Sequence, residues 1–173
     1  MTENNSVALI YGSDTGSTEH ISEIIAEKLE LKDFDFKDIY TMKPSDFAQY
    51  TKLIIGVPTW YIGELQTDWD DFFPEFKTID FTGKKVAFFG LGDQYGYPDN
   101  FQDGLGILAE VVLKNGGEVF GYWPNKGYEF NESLGIAPSG KFYGLALDED
   151  NQRDQSNERI DQWINQIKEE LSI

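Results

Sequence analysis

Four hydroxyl side chains fall within the six residues "SDTGST": Ser13, Thr15, Ser17 and Thr18, with Asp14 and Gly16 among them. The stretch follows the apolar run "VALIY" and precedes a segment of helical period. It therefore lies where the free N–H groups and dipole of a helix start attract an anion. The hydroxyls add neutral donors, and Gly16 lets the backbone approach closely. A hydroxyl-rich helix cap is the plainer reading, but a cap needs one or two such residues rather than four. The lysine and spaced second glycine of a Walker loop are missing, and so is the G-x-G-x-x-G spacing. The pattern predicts an anion held without a cation.

Two further loops combine aromatic rings with glycine. In "GVPTWYIGELQTDW", residues 56–69, Trp60 and Tyr61 follow an apolar strand taken to end at Pro58. Trp60 is then expected in a loop near the surface, with Gly63 adding backbone freedom beside it. In "GLGDQYGYPDNF", residues 90–101, Gly90, Gly92 and Gly96 alternate with Tyr95 and Tyr97. Two aromatic loops flanking one crevice, with an anion cradle at its base, describe a site for a flat, phosphorylated heterocycle.

The elements that must bring these loops together are short apolar runs alternating with helical segments. The runs are Val7–Tyr11, Phe34–Ile39, Leu53–Val57, Val86–Leu91, Glu118–Trp123 and Phe142–Leu147. Between them, Ile21, Ile24, Ile25 and Leu29 recur at helical spacing, as do Leu105, Leu108 and Val112, and then Ile160, Trp163, Ile164, Ile167 and Leu171. Asn115-Gly116-Gly117 supplies a glycine stop for the second helix. Such alternation predicts a doubly wound parallel five-stranded sheet between two helical layers, α/β/α. "LIIGV" and "VAFFG" are apolar throughout, as strands covered on both faces are. "DFDFKDI" alternates, so it reads as an edge strand, which favours the order 2-1-3-4-5. Ligands of such sheets sit beyond the carboxyl ends of the strands, where the order reverses, and all three loops fall there. Residues 124–141 carry no clear period and read as a long loop interrupting the last strand. The whole of 1–173 is expected to form one domain.

Composition narrows the classes of function. Acidic residues outnumber basic ones 31 to 14, for a formal net charge of -17, which argues against nucleic acid as a partner. No run is long enough for a membrane span, and "MTENNSVALI" lacks the flank and apolar core of an export signal, so a cytoplasmic location is expected. There is no cysteine, and His20 is the single histidine. "DEDNQRD", residues 148–154, approaches a calcium loop but has Arg153 and Arg159 where Gly and Glu are required. A response regulator of the same topology would need an aspartate where this chain has Gly56-Val57-Pro58.

Taken in order, "SDTGST", "PTWYIGELQTDW", "GLGDQYGYPDNFQD", "GLALDEDNQ" and the insertion in the last strand resemble the flavodoxins of long-chain type, most of all cyanobacterial and algal members. The resemblance covers essentially the whole chain. It implies one non-covalently bound FMN cycling through quinone, semiquinone and hydroquinone forms in a low-potential one-electron carrier that is not a stand-alone catalyst. By position, Ser13, Asp14, Thr15, Gly16, Ser17 and Thr18 wrap the phosphate. Trp60 and Tyr97 sandwich the ring. Pro58, Thr59, Tyr61, Ile62 and Gly63, with Leu91, Gly92, Asp93 and Gln94, meet the ring and ribityl chain, and Asp150 lies near the ribityl end. Many relatives have lysine where this chain has Ser17, and several close ones have asparagine at Tyr61. The Tyr61–Ile62 peptide is the family's redox-sensitive hydrogen bonder. Glu64, Asp68, Asp70, Asp71, Asp93 and Asp99 near an uncompensated phosphate predict a strongly lowered second potential. The implied partners are redox proteins with basic docking faces, such as photosystem I, ferredoxin–NADP reductase and nitrogenase reductase, met by a monomer. An FMN-dependent NAD(P)H:quinone reductase on the same fold is the competing expectation, although no second nucleotide motif is evident.

Overall fold

The computed structural model describes residues 6–173; the residues before Ser6, part of the stretch read above for an export signal, lie outside the described residues. Its strands are β1 (Val7–Tyr11), β2 (Phe34–Asp38), β3 (Lys52–Trp60), β4 (Glu64–Leu65), β5 (Lys85–Leu91), β6 (Glu118–Phe120) and β7 (Gly144–Leu147). Its helices are α1 (Ser17–Leu29), α2 (Thr67–Phe76), α3 (Asp103–Lys114) and α4 (Arg153–Leu171), with two short 3-10 segments after β2.

The sheet runs β2-β1-β3-β5-β6, with parallel pairing along the path. This is the expected 2-1-3-4-5 order once the small antiparallel β4 is set aside. Side chains alternate across the central strands: Ala8, Ile10, Leu53, Ile55, Val86 and Phe88 join one buried cluster, and Leu9, Ile54, Ala87 and Phe89 the other. The first cluster is roofed by α2 and α3, through Trp69, Phe72, Phe76, Leu105 and Leu108. The second is roofed by α1 and α4, through Ile21, Ile25, Ile160, Trp163 and Ile164. β2 is the edge strand that its alternation predicted; Phe36 remains partly exposed and rests on Tyr11, ring centroids 5.1 Å apart.

The fifth position in the sheet is shared. β6 pairs with Lys85–Ala87 and β7 with Phe88–Leu91, so that Ala87 faces Phe120 and Phe88 faces Gly144. Residues 121–143 leave and rejoin between them, a slightly wider interruption than the predicted 124–141, because Trp123 and Phe142 meet only as an isolated bridge. The excursion builds its own apolar packing: Tyr128, Phe130 and Phe142 pack around Phe101, and Arg159 lies over the Tyr128 ring at 4.3 Å. Burial, the largest influence, pushes the Tyr128 hydroxyl up to about 12.

Two sequence expectations need correction. β3 does not end at Pro58 but runs on to Trp60. Its pairing with β1 stops at Tyr11–Gly56, so Pro58 stands where one neighbour has already ended and a missing N–H is tolerated. Helix α2 has no counterpart among the segments of helical period named above. Its apolar positions Trp69, Phe72 and Phe76 have helical spacing, but Pro74 lies within it and it is only ten residues long.

Candidate functional site

At the carboxyl end of the sheet, a cleft of ≈ 330 Å³ gathers the loops after β1, β3, β5 and β7. Its size falls within the range of small-molecule sites, about 300–1,000 Å³. The walls are Ser13, Asp14, Thr15, Ser17 and Thr18; Pro58, Thr59, Trp60 and Tyr61; Leu91, Gly92, Asp93 and Tyr97; and Glu149, Asp150 and Arg153. The structure thus brings together most of the residues singled out from sequence, from four separate segments.

The base of the cleft is the start of α1. Gly16 occupies the N-cap position at φ 89°, a left-handed conformation that suits glycine, and no side chain caps the helix. Its own N–H donates to Ser13 Oγ at 3.0 Å. The first helical hydrogen bond runs from His20 N to Gly16 O, 2.9 Å. The N–H groups of Ser17, Thr18 and Glu19 therefore precede the helical ladder and lack acceptors within the helix. The four hydroxyls are not spent as caps, which removes the plainer reading of "SDTGST". A cradle of neutral donors at a helix start fits a phosphate group.

Asp14 is the acid within this cradle, and its carboxylate is turned aside. It accepts from Gln66 Nε2 at 2.8 Å and from Thr67 Oγ1 at 3.1 Å. Gln66 is fully buried; its amide also donates to Asp68 at 2.9 Å and accepts from Trp69 N–H at 3.2 Å, capping α2. The neighbouring Gly12 has no room for a side chain, since a Cβ there would lie 2.2 Å from Gln66 Oε1. Gln66 therefore locks the loop after β1 to the start of α2.

The aromatic walls come next. Trp60 is half-buried, and its Nε1 is buried with no hydrogen-bond partner among the described residues. Tyr61 has φ 44°, left-handed backbone in a residue other than glycine, and the residue is 56% exposed. Its ring lies 5.7 Å from Trp60 and 6.3 Å, edge-on, from Tyr97. Tyr61 thus bridges the two rings expected to sandwich a flat heterocycle. Thr59 is held by accepting the Gly104 N–H at 2.9 Å. Asp93 shapes the third loop by accepting from Tyr95 N–H, from Gly96 N–H at 2.7 Å and from Asn151 Nδ2 at 2.8 Å.

Four of the sequence-predicted residues do not line the cleft. Gly16 shapes the helix start behind it. Ile62 points to solvent, 73% exposed. Gly63, at φ 84°, backs onto Asp103, whose Oδ2 would meet a Cβ at 2.5 Å. Gln94 is fully buried: it donates to Asp148 through its backbone at 3.1 Å and its amide at 2.8 Å, and accepts from Glu129 N–H of the insertion at 2.7 Å. Conversely, Glu149 and Arg153 line the cleft and were not singled out as site residues. The available signal is their adjacency to Asp150; in the sequence Arg153 stands out only as the residue that spoils a calcium loop.

The electrostatics of the rim are dominated by carboxylates. Burial raises the Asp150 carboxyl above its ordinary value, and Asp93, Asp148 and Glu149 raise it further against the opposing pull of Arg153. At the end of β1, Tyr11 is pushed up to about 12, first by burial and then by Glu19 and Asp38. A further negative charge placed in this cleft is opposed by its surroundings.

Comparison with known proteins agrees with the geometry. The flavodoxin family profile matches residues 9–163. A flavodoxin from Synechocystis is 50% identical over 163 residues, covering 94% of this chain and 95% of its own, and one from a Nostoc species is 47% identical over 167 residues, covering 96% and 98%. The crystal structure of a Fusobacterium nucleatum flavodoxin bound to flavin mononucleotide superposes with a TM-score of 0.89 at 34% identity, covering 95% of this chain and 98% of that one. With a profile match of this extent and relatives this similar along nearly their whole length, the chain belongs to the flavodoxin family.

Proposed function

We propose that this protein holds one FMN in the cleft between the α1 start and the Trp60 and Tyr97 rings, and carries single electrons between other redox proteins. The observation that carries the reading is the union, in one cavity, of a hydroxyl-rich helix start that no side chain caps and two aromatic walls. When bound, FMN supplies the one-electron chemistry; the chain's residues bind it, orient it and set its potentials. The N–H groups and hydroxyls of 13–18 hold the phosphate. Trp60 and Tyr97 flank the ring and exclude water from its faces, which requires the Tyr61 ring to yield the space it now bridges. The Tyr61 carbonyl, on a left-handed backbone at the mouth of the cleft, would be the acceptor available to an N–H at the edge of the flavin ring. Asp93, Glu149 and Asp150 oppose the negative charge brought by the second.

This assignment expects a second one-electron potential well below that of free FMN. Potentiometric titration of the holo-protein tests it, and a second potential at or above the free value overturns it. Oxidation of NADPH by the pure protein with a quinone, with no reductase added, would instead support a quinone reductase. The acid-rich rim suits partners with basic docking faces, so electron-transfer rates with such a partner should fall as salt rises. Residues 1–173 act in this reading as one domain and as a monomer, in the cytoplasm; no helix among the described residues is long and apolar enough to cross a membrane.

A further inference from the structure

Charge in the cleft is one-sided. Asp14, Asp93, Glu149 and Asp150 line it, and Arg153 is the sole cation among the described residues that do. Asp14 is engaged by Gln66 and Thr67 at the start of α2, and Asp93 by N–H donors of its own loop. Arg153 is the first residue of α4, and it reaches the cleft because of how the helices are layered. α1 and α4 roof the same face of the sheet and are tied together by the Lys28–Asp161 pair. Each follows a parallel strand, β1 and β7, so both helices begin at the same rim. The start of α4 therefore stands beside the phosphate cradle, although the two lie far apart in sequence.

The Arg153 guanidinium is loosely held. Its side chain is 80% exposed, and its ion pair among the described residues is a single contact, Nε to Glu149 Oε2 at 3.4 Å. Glu149 is itself engaged on its other oxygen by Ser156. No hydrogen bond from the terminal nitrogens of Arg153 to the described residues is present.

We propose that Arg153 is the counter-charge absent from the "SDTGST" loop, closing on the phosphate end of FMN from across the cleft. The inference rests on FMN occupying this cleft. A guanidinium offers paired donors that match phosphate oxygens, and a phosphate presents more charge and more acceptors than one carboxylate touched at a single point. In a chain of formal net charge -17, a phosphate entering the cleft meets a repulsive field that Arg153 offsets locally. Arg153 is then a cofactor-binding residue specific to the phosphorylated form of the flavin.

The test is a comparison of FMN and riboflavin binding, followed by flavin fluorescence, in the full-length wild type, Arg153→Gln and Arg153→Lys, with circular dichroism to confirm the fold. Arg153→Gln should weaken FMN binding about 3- to 10-fold while leaving riboflavin unchanged, and Arg153→Lys should recover part of the loss. Adding about 0.5 M NaCl should erase most of the difference. An unchanged FMN affinity, or an equal loss for riboflavin, overturns the proposal and leaves the FMN assignment standing. Failure of the wild type to bind FMN removes the assignment itself.

Discussion

Ser17 sits at the first position of α1, in the wall of the cleft, where a longer cationic side chain would reach the phosphate directly. Ser17→Lys should tighten FMN and raise the second one-electron potential by up to about 60 mV, the shift that a tenfold change corresponds to for one electron. Spectroelectrochemical titration of the variant beside wild type measures it; an unchanged potential would show that the phosphate charge is already balanced. The contrast with Arg153 explains what was legible in the sequence. The hydroxyls of "SDTGST" lie together as they are written, in one loop at one helix start, so their type and spacing sufficed to place them in the wall of the cleft. Trp60 and Tyr97 were legible because each lies in a glycine-bearing aromatic segment that follows an apolar run. Arg153 was not, since it enters the cleft through the side-by-side seating of α1 and α4, whereas Glu149 follows β7 directly beside Asp150. Nor could spacing reveal that Tyr61, rather than empty space, lies between the two outer rings.

The loops owe their positions to a few buried contacts between elements. Gln66→Leu removes the amide that joins Asp14 to the start of α2 and strips the Trp69 N–H of its cap. Leaving such groups unpaired costs about 1–3 kcal/mol. Urea unfolding should show that loss, and FMN should bind more weakly than riboflavin's change accounts for, because the phosphate side is the one released. A second dependence joins the insertion to α3. A Cβ on Gly106 would come within 1.9 Å of the Leu134 carbonyl oxygen, a backbone atom that cannot turn away. Gly106→Ala should therefore destabilise by about 1–3 kcal/mol, seen as a lowered thermal midpoint, with larger losses if the insertion detaches. The order of the sheet was readable from strand burial alone. Helix α2 was not, because Pro74 interrupts its pattern and its ten residues leave little periodicity to detect.

Over the whole molecule, excess negative charge makes stability a function of pH and salt. Asp38 and Asp150 both have carboxyl groups raised above the ordinary value, each chiefly by burial, with neighbouring carboxylates adding to the rise. As pH falls from neutral toward the upper edge of the carboxylate range, the folded state takes up protons before the unfolded state does, so stability rises. Asp80, held below its ordinary value by Thr82, reverses the trend only at lower pH. The thermal midpoint of the apoprotein should thus climb between neutral and mildly acidic pH, and less steeply in high salt; a flat or inverted profile at low salt would contradict this. A different consequence follows from the sharing of one sheet position by β6 and β7. Phe120 and Gly144 face Ala87 and Phe88, adjacent residues of a single strand. Splicing Phe120 directly to Gly144 would therefore leave an unbroken strand in the same register, opposite the full length of Lys85–Leu91. The strand would survive without the insertion but the core would not go untouched: Trp123, Ala137, Phe142 and Tyr143 are buried in the two clusters, and Gln94 would lose its Glu129 donor and with it one anchor of the loop that carries Tyr97.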